Sequence, residues 1–194
     1  MIERTLPVVK DLVLIGGGHS HVEVLRRFGM RPVPGVRVTL ITREVQTLYS
    51  GMLPGFVAGH YDFDDVHIDL VHLCRFAGAR LYHQSVDGLD LDRRLVICEG
   101  RPAVPYDLVS INIGSTPSIH AVPGAMDVVV PVKPISNFVK RWECFRERVA
   151  SARGPLRVGV VGVGAGGVEL TLAMQFSLCR MLEELGRSNE LPEF

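Results

Sequence analysis

The sequence predicts an α/β fold in which a mainly parallel sheet carries helices on both faces. Two segments carry this prediction, because in each an apolar, β-branched run is followed by a glycine-rich turn and a helical pattern. The runs occupy residues 11–15 and 157–161. A third observation is the change of character over residues 80–113, where short apolar runs alternate with Asp, Gly and Arg turns. Continuous apolar strands indicate a sheet buried on both faces, and the short runs indicate a small antiparallel meander.

The first third of the chain reads as one β-α-β unit followed by a loop and a helix. Residues 11–15 form the first strand, and the spacing of apolar residues predicts a helix from about Ser20 to Phe28. The alternating run Val36–Thr42 predicts a second parallel strand. The turn-rich segment Leu48–Gly55 is expected to be a loop, and Ile68–Ala77 is expected to be a helix.

The middle of the chain is expected to form the meander and to return to the main sheet. Its four runs are separated by turn residues, and the segment Gly114–Pro117 ends the last of them. The runs are Arg80–Val86, Leu89–Leu91, Leu95–Cys98 and Leu108–Ile113.

The last third begins with a connection over residues 117–134, which is rich in proline and glycine. A helix is predicted from about Ser136 to Ser151, with Phe138, Trp142, Phe145 and Val149 on one stripe. A buried strand over Arg157–Val161 and a helix from about Val168 to Leu185 complete the prediction.

Composition describes an ordinary globular protein. The 194 residues include 21 Lys and Arg against 21 Asp and Glu, and 47% are hydrophobic. A net charge of zero argues against a nucleic-acid binder that neutralises phosphates. No apolar run approaches the roughly 20 residues that span a bilayer, and the first residues do not resemble a secretory signal. We therefore expect a cytoplasmic protein without nucleic-acid partner or transmembrane segment.

The cysteines and histidines predict neither a metal site nor a redox-active dithiol. Cysteine occurs at positions 74, 98, 144 and 179, without a close pair, which favours buried free thiols. The spacing of His67, His72 and Cys74 does not place them on one helical face, so no metal site is expected.

The two glycine turns have the form of dinucleotide-binding loops. In such loops the first glycine permits the reversal, the second lets the pyrophosphate approach, and the third allows close strand–helix contact. The second turn fits fully, with Gly162, Gly164 and Gly167, whereas the first has Gly16 and Gly18 but His21 in third place. Each motif alone could be a turn without a ligand. The strand–turn–helix context of both favours nucleotide binding.

The acidic residue expected at the end of the second strand, where it would bind ribose hydroxyls, is absent. The chain reads Thr42, Arg43 and Glu44 there. Thr42 or Glu44 could contact a ribose, and Arg43 could contact phosphate or stack on adenine. The alternative for each is a solvated residue at the end of a strand.

Three longer motifs carry a resemblance to a known family. GGGHSHVEVL, LYSGMLPGFVAGHY and YDLVSINIGSTP resemble the FAD/NAD(P)-binding pyridine nucleotide-disulfide oxidoreductase superfamily, in its type II NADH dehydrogenase-like branch. GGGHSHV with YSGMLPG and PVKPI is similar to the flavoprotein domain fused to selenide, water dikinase (selenophosphate synthetase). The resemblance implies a Rossmann-like fold with FAD on the first β-α-β unit and NAD(P)H on the second.

The resemblance also implies roles for individual residues. Glu169 matches a glutamate near the nicotinamide, although a helix N-terminal glutamate favoured by the helix dipole is an equal alternative. Asn112 stands where the family has a small residue. The remaining residues implied in cofactor binding are Gly16, Gly18, His19 and Ser20 at the FAD pyrophosphate, Thr42 and Arg43 near its ribose, Val86 at adenine through the strand backbone, Ile113 and Gly114 at the family's Ala-Thr-Gly element, and Gly162, Gly164 and Gly167 at the NAD(P) pyrophosphate.

The function implied is hydride transfer from NAD(P)H to FAD and electron delivery to an acceptor such as a quinone. The alternative is a non-catalytic or regulatory flavin-binding module of a selenide, water dikinase fusion protein. The scattered cysteines argue against thiol–disulfide chemistry and weaken a sulfide-oxidising function.

The strands that normally follow the second turn are not in the sequence, so we expect its nucleotide domain to be truncated. The expected organisation is an FAD-binding part over residues 1–125, a connection and helix over 126–155, and the start of an NAD(P)-binding domain over 156–194. We expect this 194-residue chain alone to bind FAD poorly and to show little oxidation of NAD(P)H.

Overall fold

The computed structural model describes residues 7–154 and 156–194. These form two compact units, each built from two stretches of chain. Unit 1 contains the described residues up to Thr47 and Ile68–Gly114, and unit 2 contains the described residues of Leu48–His67 and Ser115–Phe194. The expected organisation, with an FAD-binding part over residues 1–125, a connection and helix over 126–155 and the start of an NAD(P)-binding domain over 156–194, stays a prediction.

Helices and strands alternate through much of the chain. Two 3-10 turns, Ser50–Met52 and Ile119–Ala121, supplement them. In chain order the elements are β1 (Lys10–Ile15), α1 (His19–Met30), β2 (Val36–Thr42), β3 (Gln46–Leu48), α2 (Leu53–Ala58), α3 (Phe63–Val66), β4 (His67–Asp69), α4 (Leu70–Phe76), β5 (Arg80–His83), β6 (Gly88–Asp90), β7 (Leu95–Ile97), β8 (Val104–Pro105), β9 (Leu108–Ile111), α5 (Ala125–Val128), α6 (Ile135–Ser151) and α7 (Ala165–Glu184).

Unit 1 is built on a parallel sheet with the strand order β5-β2-β1-β9. The register places Leu14 of β1 opposite Leu40 of β2. One face packs against α1 and α4 through Leu14, Leu25 and Leu70. The other face packs through Val13 and neighbouring residues against the antiparallel sheet β6-β7-β8. The α/β fold with a parallel sheet is thus confirmed, and β2 has the predicted bounds.

The meander is smaller than the sequence predicted. The runs that begin at Arg80 and Leu108 are main-sheet strands, because β5 pairs in parallel with β2 and β9 pairs in parallel with β1. The third meander strand is instead Val104–Pro105, whose two residues are too few for a periodic signal. Short apolar runs do not reveal which sheet a strand joins.

Before the meander one local prediction was wrong, and another was confirmed with a shifted start. The segment Leu48–Gly55 is not a loop, because it contains a 3-10 turn and the start of α2. Pro54 is compatible with this helix, since proline is tolerated in a first helical turn. The helix expected from Ile68 begins at Leu70, where the Asp69 carboxylate caps it by accepting hydrogen bonds from the Val71 and His72 N–H groups.

Unit 2 has a helical core. The stripe on α6 buries Phe138, Trp142 and Val149, with Phe145 partly buried against them. Leu178 of α7 is fully buried in the same cluster, and α2 contributes Val57. The two long helices predicted from the sequence are confirmed, although α7 begins three residues earlier than expected.

The buried strand predicted over Arg157–Val161 is wrong. This segment makes one isolated parallel bridge, between Arg157 and Glu193, and Val161 is 92% exposed. A strand requires a neighbour that satisfies its backbone groups along its length. In the described part of unit 2 no strand lies beside this segment, so its apolar composition is not sufficient to form one.

None of the helices in the described residues is both long and apolar enough to cross a membrane.

Candidate functional site

The first glycine turn is held between two strands of the parallel sheet. It follows β1, whose neighbours on either side are β2 and β9. The Gly16 N–H donates to the Ile41 carbonyl at 2.8 Å, and the Gly18 N–H donates to the Asn112 carbonyl at 3.3 Å. The turn therefore lies at the carboxyl ends of the strands, where open α/β sheets bind their ligands.

Each of the three consecutive glycines has a structural reason to lack a side chain. Gly16 has a φ of +92°, and a Cβ there would overlap the Asn112 carbonyl. A Cβ on Gly17 would lie 2.5 Å from Cδ1 of Leu70, and one on Gly18 would lie equally close to the Asn112 side-chain amide. Asn112 and Leu70 consequently pack directly against the backbone of the turn.

The helix that follows presents its backbone to a ligand. Gly18 is the N-cap of α1, and no side chain in the described residues caps this end. The first-turn N–H groups of a helix lack intrahelical acceptors and carry a partial positive charge. His19 and Ser20 are the first helical residues, half-buried and exposed respectively. This end of α1 has the chemistry of an anion site.

His21 occupies the third-glycine position and is 1% exposed. Its Nδ1 lies 2.7 Å from the Gly16 carbonyl oxygen, and its Nε2 lies 2.9 Å from the Ser110 hydroxyl. A carbonyl only accepts, so Nδ1 carries the proton and Nε2 accepts from Ser110. Burial lowers the pKa of His21, although its bond to Gly16 acts in the opposite direction.

The end of β2 is closed by local hydrogen bonds. The hydroxyl of Thr42 donates to the Glu44 carbonyl at 3.0 Å and is buried with its residue. Arg43 is exposed, and its carbonyl lies 2.8 Å from Nε2 of His83 at the end of β5. Of the strand-end residues, Arg43 and Glu44 therefore face solvent, whereas Thr42 stabilises the turn.

The other residues implied on the FAD side lie beyond the strands. Val86 was expected within a strand, but β5 ends at His83 and Val86 lies in the connection to β6, half-buried against the unit 1 core. Just after β5 the Gln84 N–H donates to the Thr42 carbonyl, and the Gln84 side chain donates to the Glu99 carbonyl. Ile113 and Gly114 follow β9 and are exposed.

The second glycine turn repeats the backbone pattern of the first. Gly164 is the N-cap of α7, with φ and ψ of −71° and 169°, against −69° and 166° for Gly18. The Gly167 N–H donates to the Gly164 carbonyl at 2.9 Å, as the His21 N–H donates to the Gly18 carbonyl at 2.9 Å. The two turns are therefore alike in backbone geometry.

The third glycine of this second turn has its expected role. A Cβ on Gly167 would overlap the Gly162 carbonyl oxygen, so glycine alone permits this approach. Gly162 has a φ of +120°, which also favours glycine. Glu169 is exposed and is the fifth residue of α7.

The described residues bring together neither a disulfide nor a metal-binding cluster. Cys74 and Cys98 are buried, and burial raises the pKa of the Cys74 thiol to about 11. Burial also raises the pKa of the Cys98 thiol. Over residues 7–154 and 156–194, no group of three His, Cys, Asp or Glu side chains could hold a metal ion.

The structure brings together Gly16, Gly18, His19 and Ser20 in unit 1, and Gly162, Gly164 and Gly167 in unit 2. Sequence reasoning missed the contributions of Gly17, Asn112 and Ser110 to the first turn. Two signals were present, namely a histidine in third-glycine position and an asparagine where a small residue is usual. Ser110 gave none, because its pairing with His21 spans 89 positions.

A family model described as pyridine nucleotide-disulphide oxidoreductase matches residues 10–185. No curated protein matches the chain.

Solved structures share the fold at low identity. The sulfide:quinone oxidoreductase of Aquifex aeolicus is 19% identical with a TM-score of 0.67, over 94% of this chain and 42% of that one. NDH2 of Plasmodium falciparum is 16% identical with a TM-score of 0.70, over 93% and 39%. The water-forming NADH oxidase of Lactobacillus brevis is 17% identical with a TM-score of 0.65, over 87% and 38%. This chain thus spans about two fifths of the length of these proteins.

Proposed function

This chain belongs to the pyridine nucleotide-disulphide oxidoreductase family, and on that basis we propose that it contributes the FAD site and the start of the NAD(P)H site of an oxidoreductase. FAD and NAD(P)H, the cofactors expected from the sequence, are those of the family. We propose further that unit 1 holds FAD and that the turn in unit 2 binds the pyrophosphate of NAD(P)H. When bound, these cofactors supply hydride transfer from nicotinamide to flavin and onward electron delivery.

The observation that carries this proposal is the repeated backbone geometry of the two glycine turns. Each turn has an N-cap glycine in extended conformation before a helix of at least 12 residues. Each N-cap carbonyl accepts from the N–H groups three and four residues later. A repeated, uncapped helix N-terminus preceded by bare glycines fits two phosphate-bearing ligands.

The residues of the first turn fit a pyrophosphate. A Cβ on Gly16, Gly17 or Gly18 would overlap Asn112 or Leu70, so only glycines allow the backbone of the turn to lie this close to those residues. The N–H groups at the start of α1, near His19 and Ser20, are the proposed donors to phosphate oxygens.

Other residues are proposed at the periphery of the FAD site. Arg43 is exposed at the end of β2, and its guanidinium could contact a phosphate or stack on adenine. Thr42 would bind a ribose more weakly than the acidic residue usual at this position, because its hydroxyl already donates to the Glu44 carbonyl. Val86, Ile113 and Gly114 would contribute backbone groups.

In unit 2 the proposed ligands are backbone groups at Gly162, Gly164 and Gly167, with Glu169 two residues after the last of them. Glu169 is exposed, so its carboxylate is available to contact or orient a nicotinamide.

The proposed electron acceptor is a small molecule such as a quinone. Three observations favour it over a thiol or disulfide. The described cysteines form no disulfide, and the pKa of Cys74 is raised away from the reactive range. The similar fold in Aquifex aeolicus belongs to a quinone-dependent enzyme by its description.

The test uses the full-length protein. We expect it to bind FAD stoichiometrically and to lose the visible flavin absorbance when NADH or NADPH is added without oxygen. Gly18→Ala should abolish FAD binding, because its Cβ would lie 2.5 Å from the Asn112 amide. Gly88→Ala is the matched control, since nothing lies within 4 Å of a Cβ there.

The outcomes separate the candidate functions. FAD binding without reduction by either nucleotide would favour the non-catalytic module fused or bound to selenide, water dikinase. Failure of the wild-type protein to bind FAD would contradict both. Comparing quinone with other acceptors in steady-state assays then identifies the oxidant.

A further inference from the structure

We propose that His21 is a positioning residue for FAD, whose imidazole fixes the glycine turn of unit 1 where related turns rely on a third glycine. This inference rests on the proposed FAD site in unit 1. It assigns a function to the one position at which the first turn departs from the dinucleotide-binding pattern. The assignment depends on three observations.

The first observation is a contrast between the two turns. In unit 2 the carbonyl of the first glycine, Gly162, lies so close to Gly167 that no Cβ could be accommodated. In unit 1 the equivalent carbonyl, that of Gly16, lies 2.7 Å from Nδ1 of His21. The same carbonyl is thus held by backbone packing in one turn and by a side-chain hydrogen bond in the other.

The second observation is that the imidazole links three elements. His21 belongs to α1, Gly16 to the turn, and Ser110 to β9. The Ser110 hydroxyl lies 2.9 Å from Nε2, and two residues later the Asn112 carbonyl accepts from the Gly18 N–H. The turn is consequently linked to β9 through His21 and to Asn112, the residue after β9, through the Gly18 N–H.

The third observation is that the imidazole is saturated and sealed from solvent. His21 is 1% exposed, both ring nitrogens have partners, and burial favours the neutral ring. The Gly16 carbonyl requires Nδ1–H, which leaves Nε2 to accept the Ser110 proton. One tautomer therefore satisfies every group, and it aligns the turn without itself reaching the cofactor.

The proposal makes a counterintuitive prediction. His21→Gly restores the usual glycine pattern, so pattern matching alone predicts unchanged or tighter FAD binding. The structure predicts the reverse, because the variant removes both hydrogen bonds and leaves a void beside Gly16. We expect the Kd for FAD to rise by about tenfold or more, since one hydrogen bond of ordinary strength corresponds to roughly that factor.

The experiment measures FAD affinity of the full-length protein from flavin fluorescence, with wild type, His21→Gly and Ser110→Ala. Ser110→Ala should weaken binding by a smaller factor, since the Gly16 bond remains. Added imidazole should partly restore His21→Gly and have no effect on the wild type. Ser177→Ala is the matched control, because Ser177 is a buried serine of unit 2. It should bind FAD like the wild type.

A second readout is independent of FAD. Nitrogen-15 NMR of the histidine rings should show one slowly exchanging Nδ1–H tautomer at His21 in the wild type. A solvent-averaged ring or an Nε2–H tautomer would overturn the proposal, even if His21→Gly failed to fold.

The two proposals fail differently. If the wild type binds no FAD, the proposed function is wrong. If the wild type binds FAD and His21→Gly binds it equally well or better, the positioning role is wrong and the function stands.

Discussion

The two glycine turns have nearly the same backbone, yet they rest on different supports. The first is preceded by β1, in which Ile15 is 5% exposed and strands lie on both sides. The second is preceded by a segment without strand neighbours among the described residues, in which Val161 is 92% exposed. The N-cap residues Gly18 and Gly164 nevertheless have φ and ψ angles that agree with each other within a few degrees.

This difference shows which parts of a nucleotide-binding turn are local. The glycine turn and helix start form from a few consecutive residues, because glycine freedom and helix hydrogen bonds suffice. The strand before the turn is not local, since its backbone must pair with distant segments. A turn can therefore be well shaped in a unit whose sheet is absent from the described residues.

The largest expected effect concerns the first glycine of each turn. Gly16→Ala should cost about 4 kcal/mol of unfolding free energy, from backbone strain at positive φ and from overlap with the Asn112 carbonyl. Gly162→Ala should cost about 2 kcal/mol, because its Cβ meets nothing within 4 Å. Hydrogen exchange of the flanking peptides measures both. Equal losses would show that the two turns have equivalent surroundings.

The residue before each turn should behave in a similarly unequal way. Ile15→Ala removes a buried side chain from the sheet and should cost about 3 kcal/mol. Val161→Ala removes an exposed one and should change stability by less than about 0.5 kcal/mol. Urea unfolding, followed by hydrogen exchange of the peptides in each unit, measures the loss of stability in each variant. A large loss at Val161 would mean that it is buried in a strand after all.

The third glycine of the second turn offers a test within one helix. Gly167→Ala should destabilise unit 2 by about 2 kcal/mol, because its Cβ would overlap the Gly162 carbonyl. Its neighbour Gly166 is the matched control, since a Cβ there is unobstructed and alanine favours a helix by about 0.5 kcal/mol or more. Fluorescence of Trp142, buried in unit 2, follows the unfolding. The two substitutions should change the free energy of unfolding in opposite directions. A change in the same direction would contradict the close approach of Gly167 to the Gly162 carbonyl.

The smallest expected effect is a pH dependence confined to unit 1. Burial lowers the pKa of His21 below its usual 6.5, so the unfolded chain takes up a proton first as pH falls. The free energy of unfolding should be highest above pH 6.5 and should decrease below it. The decrease should level off once the pH falls below the pKa of His21 in the folded protein. Urea unfolding between about pH 7.5 and 5.5 should show this decline in the wild type and not in His21→Gln. An identical slope in both would assign the effect to another group.

Much of the fold could be predicted because its signals are local. The run Val36–Thr42 gave β2 with its observed bounds, and the stripe of Phe138 and Trp142 gave α6. The segment Arg157–Val161 also has an apolar pattern, but it does not form a strand. Strand formation depends on pairing with segments that lie far away in sequence. The run from Arg80 was placed in the wrong sheet for the same reason.

The candidate site was predictable to a similar depth. The glycines were visible as spacing, and His21 was visible as a departure from it. The meaning of that departure required Ser110, which the fold brings to the imidazole from a distant strand. Asn112 likewise needed the structure, because its contact with Gly18 depends on the pairing of β1 with β9.

The most direct test of the account is hydrogen exchange of the full-length protein with each cofactor separately. FAD should protect the peptides that contain Gly16–His21 and Asn112–Gly114, and leave Gly162–Val168 unchanged. NADH or NADPH should protect Gly162–Val168. Protection of the second turn by FAD, or of neither turn by either cofactor, would contradict the assignment of one ligand to each turn.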